Sequence, residues 1–172
     1  MKDRELYLEI VKRLGKAENI LDIGCGEGGL CGYLAKITGK KVTGLDVSGG
    51  GFEKAKKMAA KIKVPNLVEC VAGDAGKMPC FKDNEFDAIT MAYTLHHIER
   101  EEEALSEIRR VLKAGGKMIV ADYVIEKEGQ EKECHKFTVV SLKKLFQTAG
   151  FHLLESKLFE SDLALLTAEK TK

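Results

Sequence analysis

The sequence lacks an appreciable net charge, and its cysteines lack paired spacing. Lys and Arg number 28, and Asp and Glu number 27, in 172 residues. This balance gives no overall attraction to nucleic acid or to an anionic membrane surface. The five cysteines form no CxxC pair, and their odd number, without a visible export signal, favours reduced thiols. We therefore expect a cytoplasmic protein whose partners do not include nucleic acid.

Long apolar runs are also missing. The first residues, MKDRELYLEIVKRL, place charged side chains between the apolar ones, so they lack the continuous apolar core of a signal peptide. No other stretch approaches the roughly 20 apolar residues that cross a membrane. We expect no membrane partner, and 172 residues suit one domain, 1–172, that buries its own core.

The chain does contain an alternation of short apolar runs and amphipathic segments. Apolar runs typical of buried strands occupy 19–24, 41–47, 67–73, 86–93 and 116–124. Helical periodicity appears at 3–14, 29–37, 53–62 and 101–112. Because parallel strands need crossover connections, which are usually helices, this alternation predicts an α/β fold with a parallel sheet covered on both faces.

The C-terminal part of the chain has a different pattern. A largely polar connection, 126–140, precedes a helix that Ser141 can cap and that ends at Gly150. Two strand-like segments follow, 151–159 and 162–170, with only two residues between them. A connection that short forces the two strands to be antiparallel, so we predict a hairpin at the end of the sheet.

A glycine-rich segment follows the first predicted strand. In GCGEGG, Gly24, Gly26 and Gly29 allow a sharp turn and close approach of a ligand to the backbone. Asp46, twenty residues after Gly26, ends the second strand, where a carboxylate can bind both hydroxyls of a ribose. The alternative is a plain tight turn, with Asp46 capping the next helix. Together the two features predict an adenosyl ligand.

Three features separate a sulfonium cofactor from a dinucleotide. Asp22, just before the glycines, would repel a pyrophosphate but suits the ammonium of a methionine moiety. Asp74, in GDAGKMP, can accept a hydrogen bond from the adenine amine, although it could also be a turn former before Gly76 and Pro79. The C-terminal hairpin is the third, since a nicotinamide-binding domain continues with another parallel strand.

These motifs together resemble one known family. The segments ILDIGCGEGG, GLDVS, GDAGKMP, LHHI and RVLKAGGKMIVAD are similar to those of class I S-adenosylmethionine-dependent methyltransferases, in particular the small-molecule branch. The similarity covers roughly 19–122 by motif and the remainder by element order. It implies a Rossmann-like three-layer sandwich with a seven-stranded sheet of order 3-2-1-4-5-7-6. It also implies S-adenosyl-L-methionine as cofactor and S-adenosyl-L-homocysteine as product.

The resemblance assigns cofactor contacts to residues at the ends of the first four strands. The backbone of the glycine segment would run along the cofactor, and later residues would hold ribose, adenine and the methionine part in turn. The residues along the cofactor are Gly24, Cys25 and Gly26; Asp46 would hold the ribose; Val47, Asp74 and Ala75 would contact the adenine; and Ala92 would lie near the methionine part. Asp22 is a further candidate, for the ammonium group. Three glycines, 49–51, depart from the helix-forming residues usual in the family.

The acceptor side is less defined. A general base is needed only if the nucleophile is protonated. The catalytic candidates are Tyr93, His96 and His97, with Asp122, Tyr123 and His135 farther along the chain. Adjacent histidines should point in different directions, so at most one would face the pocket, and both could instead only orient the loop. Cys134 beside His135 lacks regular ligand spacing, so no metal site is predicted.

The sequence thus predicts a methyltransferase that acts on a small molecule by in-line transfer. One alternative is a non-catalytic partner subunit, whose expected mark, a damaged glycine loop, is absent. Another is RNA or protein methylation, although MAYTLHH lacks the Asn or Asp, Pro, Pro, aromatic motif of nucleic-acid amino methyltransferases. A nicotinamide-dependent oxidoreductase is disfavoured. A core this small would either leave the pocket open to a bulky substrate or need a second subunit, in a homo-oligomer, to form one wall of the pocket.

Overall fold

The computed structural model describes residues 2–126, 129 and 136–171, and helices and strands alternate through most of them. The helices are α1 (Lys2–Leu14), α2 (Gly29–Thr38), α3 (Phe52–Lys61), α4 (Glu101–Val111) and α5 (Val139–Thr148). The strands are β1 (Asn19–Ile23), β2 (Lys41–Asp46), β3 (Val68–Ala72), β4 (Phe86–Ala92), β5 (Leu112–Ile125), β6 (Phe137–Thr138), β7 (Phe151–Glu160) and β8 (Leu163–Lys170). Two short 3₁₀ turns occupy Gly49–Gly51 and Leu95–His97.

The sheet has the predicted topology. Its strand order is β3-β2-β1-β4-β5-β8-β7, with the first five strands parallel and β8 antiparallel to both β5 and β7. This is the expected order 3-2-1-4-5-7-6 with the last two strands renumbered, because β6 is an additional strand that pairs with the end of β5. Two residues are too few to show the alternation by which strands are recognised.

Helices cover both faces of the sheet and produce the predicted three-layer sandwich. On one face, Leu6 and Ile10 of α1 and Leu34 of α2 share a buried cluster. On the other face, Ile108 of α4 and Phe146 of α5 belong to a second cluster. The helical spacing of these apolar residues turns one side of each helix toward the sheet.

The start of α5 corrects one prediction. Ser141 does not cap the helix, because the N-cap is Thr138, whose side chain accepts a hydrogen bond from the Ser141 amide at 2.9 Å. The Ser141 hydroxyl accepts in return from the Thr138 amide at 2.9 Å. Thr138 ends β6 with extended backbone (φ −87°, ψ 162°) and is therefore already placed to cap.

The carboxyl ends of β1, β2, β3 and β4 lie at one edge of the sheet, because these strands are parallel neighbours. The loops that follow them carry the glycine segment, Asp46, Asp74 and the LHHI segment. In open α/β sheets, ligands bind at this edge. Among the residues that the structure describes, no helix combines the length and apolar character needed to cross a membrane.

Candidate active site

A cavity of about 530 Å³ opens at the carboxyl ends of the strands. Its walls come from the loops after β1, β2, β3 and β4. The predicted residues among the lining are Gly24, Asp46, Val47, Asp74, Ala75, Tyr93 and His97. The other predicted residues, Asp22, Cys25, Gly26, Ala92 and His96, are not part of that lining. The fold therefore brings seven residues from four separate loops to one wall.

The glycine segment forms a tight loop. Gly24 has a φ of +76°, and a Cβ there would lie 2.2 Å from the Thr94 hydroxyl oxygen. Only glycine allows both this backbone conformation and the close approach of Thr94. At Gly26 (φ +50°), by contrast, a Cβ would meet nothing within 4 Å, so the backbone there faces open space. The loop is thus closed by Thr94 at Gly24, whereas a side chain at Gly26 would meet no neighbouring atom.

Of the three glycines after Ser48, Gly51 has a structural explanation that sequence reasoning missed. A Cβ at Gly51 would lie 2.3 Å from the carbonyl oxygen of Gly26. The 3₁₀ turn therefore packs directly on the glycine loop, with no side chain between the two backbones. At Gly49 and Gly50 an added Cβ would meet no atom closer than 3.3 Å, so the packing requires glycine at position 51 alone.

Asp46 joins the glycine loop to the segment after β2. Its Oδ2 accepts a hydrogen bond from the Gly26 amide at 2.9 Å, and its Oδ1 accepts from the Ser48 amide at 2.9 Å. Each carboxylate oxygen can accept more than one hydrogen bond, so capacity remains for two ribose hydroxyls. Val47 beside it is 78% exposed, which leaves an apolar surface available for a planar ring.

Asp74 and Arg100 lie together at the mouth of the cavity. Asp74 Oδ1 accepts a hydrogen bond from the Gly76 amide at 2.8 Å, so Asp74 does form the turn that its alternative interpretation predicted. Its Oδ2 lies 3.7 Å from a guanidinium nitrogen of Arg100, which also pairs with Glu103 at 2.8 Å. Sequence reasoning missed Arg100, because it lies in the aperiodic stretch after LHHI.

Asp22 lies beneath the loop rather than in the cavity wall. It is 2% exposed, and its two oxygens accept hydrogen bonds from the Thr90 hydroxyl at 2.8 Å and the Cys31 thiol at 3.2 Å. Burial raises the pKa of this carboxyl to about 6. Cys25 is also buried, and its Sγ packs on Gly44 of β2, where an added Cβ would lie 2.6 Å from this sulfur. Any contribution of Cys25 to ligand binding is therefore through its backbone.

Tyr93 adopts a left-handed conformation at the end of β4. Its φ is +57°, which is rare for a bulky residue, and its amide donates to the Ala121 carbonyl at 2.8 Å. The Tyr93 ring lies 5.2 Å from the Tyr123 ring, measured between centroids. Burial, with Asp3 nearby, raises the pKa of the Tyr93 hydroxyl to about 12, so it remains a hydrogen-bond donor at neutral pH.

The two histidines have different surroundings, as their adjacency predicts. His96 is buried, with Nδ1 2.6 Å from Asp122 Oδ1, and its amide donates to Asp122 Oδ2 at 3.1 Å. His97 lines the cavity, and the two rings lie 3.9 Å apart between centroids. Sequence adjacency could not show that Asp122, on β5, holds His96. The catalytic roles of His96 and His97 stay predictions.

The remaining candidates lie elsewhere or outside the described residues. Tyr123 contacts both Tyr93 and His96 through its ring. Cys134 and His135 fall outside the described ranges. Within residues 2–126, 129 and 136–171, no group of three or more His, Cys, Asp or Glu side chains is arranged to hold a metal ion.

Comparisons with known proteins agree with this geometry. A family model described as a methyltransferase domain matches residues 21–120. The sterol 4-C-methyltransferase strm-1 of Caenorhabditis elegans is 37% identical over 123 residues, which cover 70% of this chain and 36% of that protein. The ubiquinone/menaquinone biosynthesis C-methyltransferase UbiE of Ruegeria sp. is 32% identical over 127 residues, covering 72% and 50%. The chain thus spans half or less of the length of these two relatives.

Solved structures confirm the fold. The [4+2]-cyclase SpnF superposes with a TM-score of 0.90 at 21% identity, over 97% of this chain and 81% of that one. A SAM-dependent methyltransferase from Aquifex aeolicus superposes with a TM-score of 0.81 at 24% identity, over 94% and 88%. At these identities, the structures establish the architecture only. Together with the family model and the curated relatives, they show that the chain belongs to the class I S-adenosylmethionine-dependent methyltransferases.

Proposed function

We propose that the chain binds S-adenosyl-L-methionine in this cavity and transfers its methyl group in line to a small molecule, with S-adenosyl-L-homocysteine as product. The observation that carries the proposal is the position of Asp46, whose carboxylate is anchored on the Gly26 amide at the wall of the cavity. The relatives support a small-molecule acceptor, since their names specify sterols and quinones. The proposal treats residues 1–172 as one catalytic domain.

The residues of the cavity suit the cofactor. Its volume of about 530 Å³ lies in the range of roughly 300–1,000 Å³ usual for small-molecule sites. The open backbone at Gly26 can run along the ligand, Asp46 can hold the ribose, and exposed Val47 can pack on the adenine. Asp74 and the Ala75 amide would recognise the adenine edge, and Ala92 would lie near the methionine part. When bound, the cofactor supplies a methyl group on a positively charged sulfur.

In this proposal, Asp22 favours cofactor binding through its charge. Because both of its oxygens already accept protein hydrogen bonds and it is not in the cavity wall, a direct contact with the ammonium is not supported. An ionised Asp22 behind the loop would still favour a cation on the other side, since Coulomb attraction acts across a few ångströms of protein.

We assign the acceptor side to the segment after β4. His97 lines the cavity and would take the proton from a protonated acceptor, while Tyr93 would donate a hydrogen bond. His96 is a positioning residue, because the 2.6 Å contact with Asp122 assigns a proton to its Nδ1 and fixes its ring. The ring of His97, 3.9 Å away, packs against that fixed ring.

Cytoplasmic localisation is part of the same proposal. The four cysteines that the structure describes, Cys25, Cys31, Cys70 and Cys80, are free. Free thiols agree with a reducing compartment.

Calorimetric titration of the purified protein with S-adenosylmethionine, S-adenosylhomocysteine and NAD tests the cofactor assignment. We expect micromolar-scale binding of the first two and none of NAD. Asp46→Ala should weaken binding by roughly 10- to 100-fold, because charge-assisted hydrogen bonds contribute about 1.5–3 kcal/mol. Asp83→Ala is the matched control, since Asp83 is exposed and pairs with Arg110 away from the cavity.

Each possible result is informative. If neither adenosyl compound binds, the chain is not an independent enzyme, and the non-catalytic partner subunit becomes the better hypothesis. If NAD binds instead, the nicotinamide-dependent class is favoured.

A further inference from the structure

Strand β7 forms one edge of the sheet. Among the described residues its strand pairing is with β8 alone, so the outer edge of a ten-residue strand has no partner strand. Such an edge is a template for pairing with another chain unless it is short, bulged, or carries proline or charges that repel the partner. β7 contains neither proline nor glycine, and its pairing with β8 is regular from Glu155 to Leu158, between register shifts at Leu153/Glu155 and Leu158/Glu160. It also carries two exposed leucines, Leu154 (46% exposed) and Leu158 (54% exposed).

The sequence of β7 is complementary to its own reverse. If two copies lie antiparallel with Ser156 on the two-fold axis, Glu155 of each copy faces Lys157 of the other. In the same register, Leu154 faces Leu158. Opposite charges and apolar pairs directly across two strands are stabilising. A shift by one position would place Leu158 opposite Glu155, or Leu154 opposite Lys157, so the pattern selects one register.

The faces of the strand agree with this pairing. Glu155 and Lys157 lie on the α1 side, where Glu155 pairs with Arg13 at 2.6 Å and Lys157 approaches Glu9 at 4.0 Å. Ser156 and Leu158 project to the opposite side, since side chains alternate along the regular segment between the two register shifts. A second copy would therefore extend the ion pairs on one face and place Leu158 of each copy on the other.

We propose that β7 pairs with β7 of a second copy of this chain, antiparallel about Ser156, so that one sheet runs through both subunits. The contact is isologous: each copy uses the same edge, so pairing closes at a dimer. A strand of another protein would need the same reversed order of charge and leucine to match as well. No residue of β7 lines the cavity, so the proposal is independent of methyl transfer.

Sedimentation equilibrium on the full chain tests the association. We expect twice the 19.0 kDa monomer mass for the native sequence at micromolar concentration. Lys157→Glu would place like charges opposite each other twice, and we expect a dissociation constant at least tenfold higher. Mixing the Lys157→Glu chain with a Glu155→Lys chain restores opposite charges at both cross-strand pairs, and we expect the mixture to associate more tightly than either variant alone. A merely destabilising effect of Lys157→Glu would not be rescued in this way.

Cysteine cross-linking tests the register. Residues directly opposite in an antiparallel pair have Cα atoms about 4.5–5.5 Å apart, within the range of a disulfide. Ser156→Cys should therefore form a covalent dimer on mild oxidation. Leu158→Cys faces Leu154 of the other copy and should cross-link no more than the native chain, whose exposed Cys80 sets the background. A native chain that stays monomeric at 100-fold higher concentration, or equal cross-linking at both positions, would overturn the proposal.

Discussion

At the scale of single residues, the structure separates the carboxylates around the glycine loop by their surroundings. Asp46 is half-buried and bonded to two backbone amides, which stabilise its charge. Asp22 is buried, with a hydroxyl and a thiol as its partners, and burial raises its pKa to about 6. Two aspartates on neighbouring strands therefore have different surroundings: Asp46 accepts hydrogen bonds from backbone amides, whereas Asp22 accepts them only from buried side chains.

Asp22→Asn should make the stability of the protein less sensitive to a rise in pH from about 4 to 7. The folded-state pKa of about 6 lies above the ordinary value of 3.8, so the protonated carboxyl stabilises the fold fully below about pH 4. That contribution is lost as pH rises through 6, by at most about 3 kcal/mol. We expect the free energy of unfolding of the variant, relative to the native protein, to increase from pH 4 to pH 8 in urea titrations.

Asp87→Asn provides a control of opposite sign. Although burial opposes it, the hydrogen bonds from Lys113 and the Asn19 amide lower the pKa of Asp87. Its carboxylate therefore stabilises the fold above the ordinary pKa of 3.8, and this contribution is lost as pH falls below that value, so Asp87→Asn should lose more stability at about pH 7 than at about pH 2. If Asp22→Asn behaves like Asp87→Asn, ionised Asp22 is not penalised in the folded protein.

At the scale of elements, short local signals decide where helices begin. α5 starts with reciprocal hydrogen bonds between Thr138 and Ser141, which satisfy two amides that have no partner within the helix. The helix then buries Leu142 and Phe146 against the sheet. Because α5 follows directly on β6, the cap also joins the helix to the strand that pairs with the end of β5.

Thr138→Ala should destabilise the protein by about 1 kcal/mol, the usual cost of losing an N-cap side chain. Thr138→Ser keeps the hydroxyl and should lose less than half as much. Urea unfolding at pH 7 measures both. A loss by Thr138→Ser equal to that by Thr138→Ala would mean that the methyl group of buried Thr138, rather than its cap, stabilises this segment.

At the scale of the whole molecule, the parallel order of β1, β2, β3 and β4 assembles the site from four loops. Gly24, Asp46, Asp74 and His97 are far apart in sequence but share one cavity. On β5, Asp122 holds His96 from beneath. The proposed acceptor site therefore depends on correct packing of the sheet as well as on the residues in the cavity wall.

Methyl transfer itself checks this assembly. With a labelled methyl donor, we expect transfer to an acceptor from a panel of sterols and demethylated quinols, in keeping with the relatives. For a protonated acceptor, His97→Gln should lower kcat by roughly 100-fold, the usual contribution of a general base, with cofactor affinity within twofold. His152→Gln is the control, since His152 is exposed on β7. Unchanged kcat in His97→Gln would exclude it as the base.

Local sequence patterns, and the order of elements along the chain, determined much of the fold of this protein. Continuous apolar runs predicted all five main parallel strands, because helices cover both faces of the sheet, and helical periodicity predicted the helices between them, because each buries one face. The two-residue connection required the hairpin, and the glycine segment with Asp46 marked the end of the sheet where the cavity lies. Strand boundaries differ from the predicted ones where the backbone conformation changes. Tyr93, for example, adopts a left-handed conformation, so β4 ends at Ala92.

Only the tertiary structure decided which distant groups meet. Gly51 packs on Gly26, and Asp122 holds His96 although 26 residues separate them in the chain. Asp22 lies beneath the loop instead of in the cavity wall, because the alternation of β1 turns its side chain toward Thr90 and Cys31. These contacts depend on the pairing of strands and the packing of helices against them, and no local pattern in the sequence records those distances.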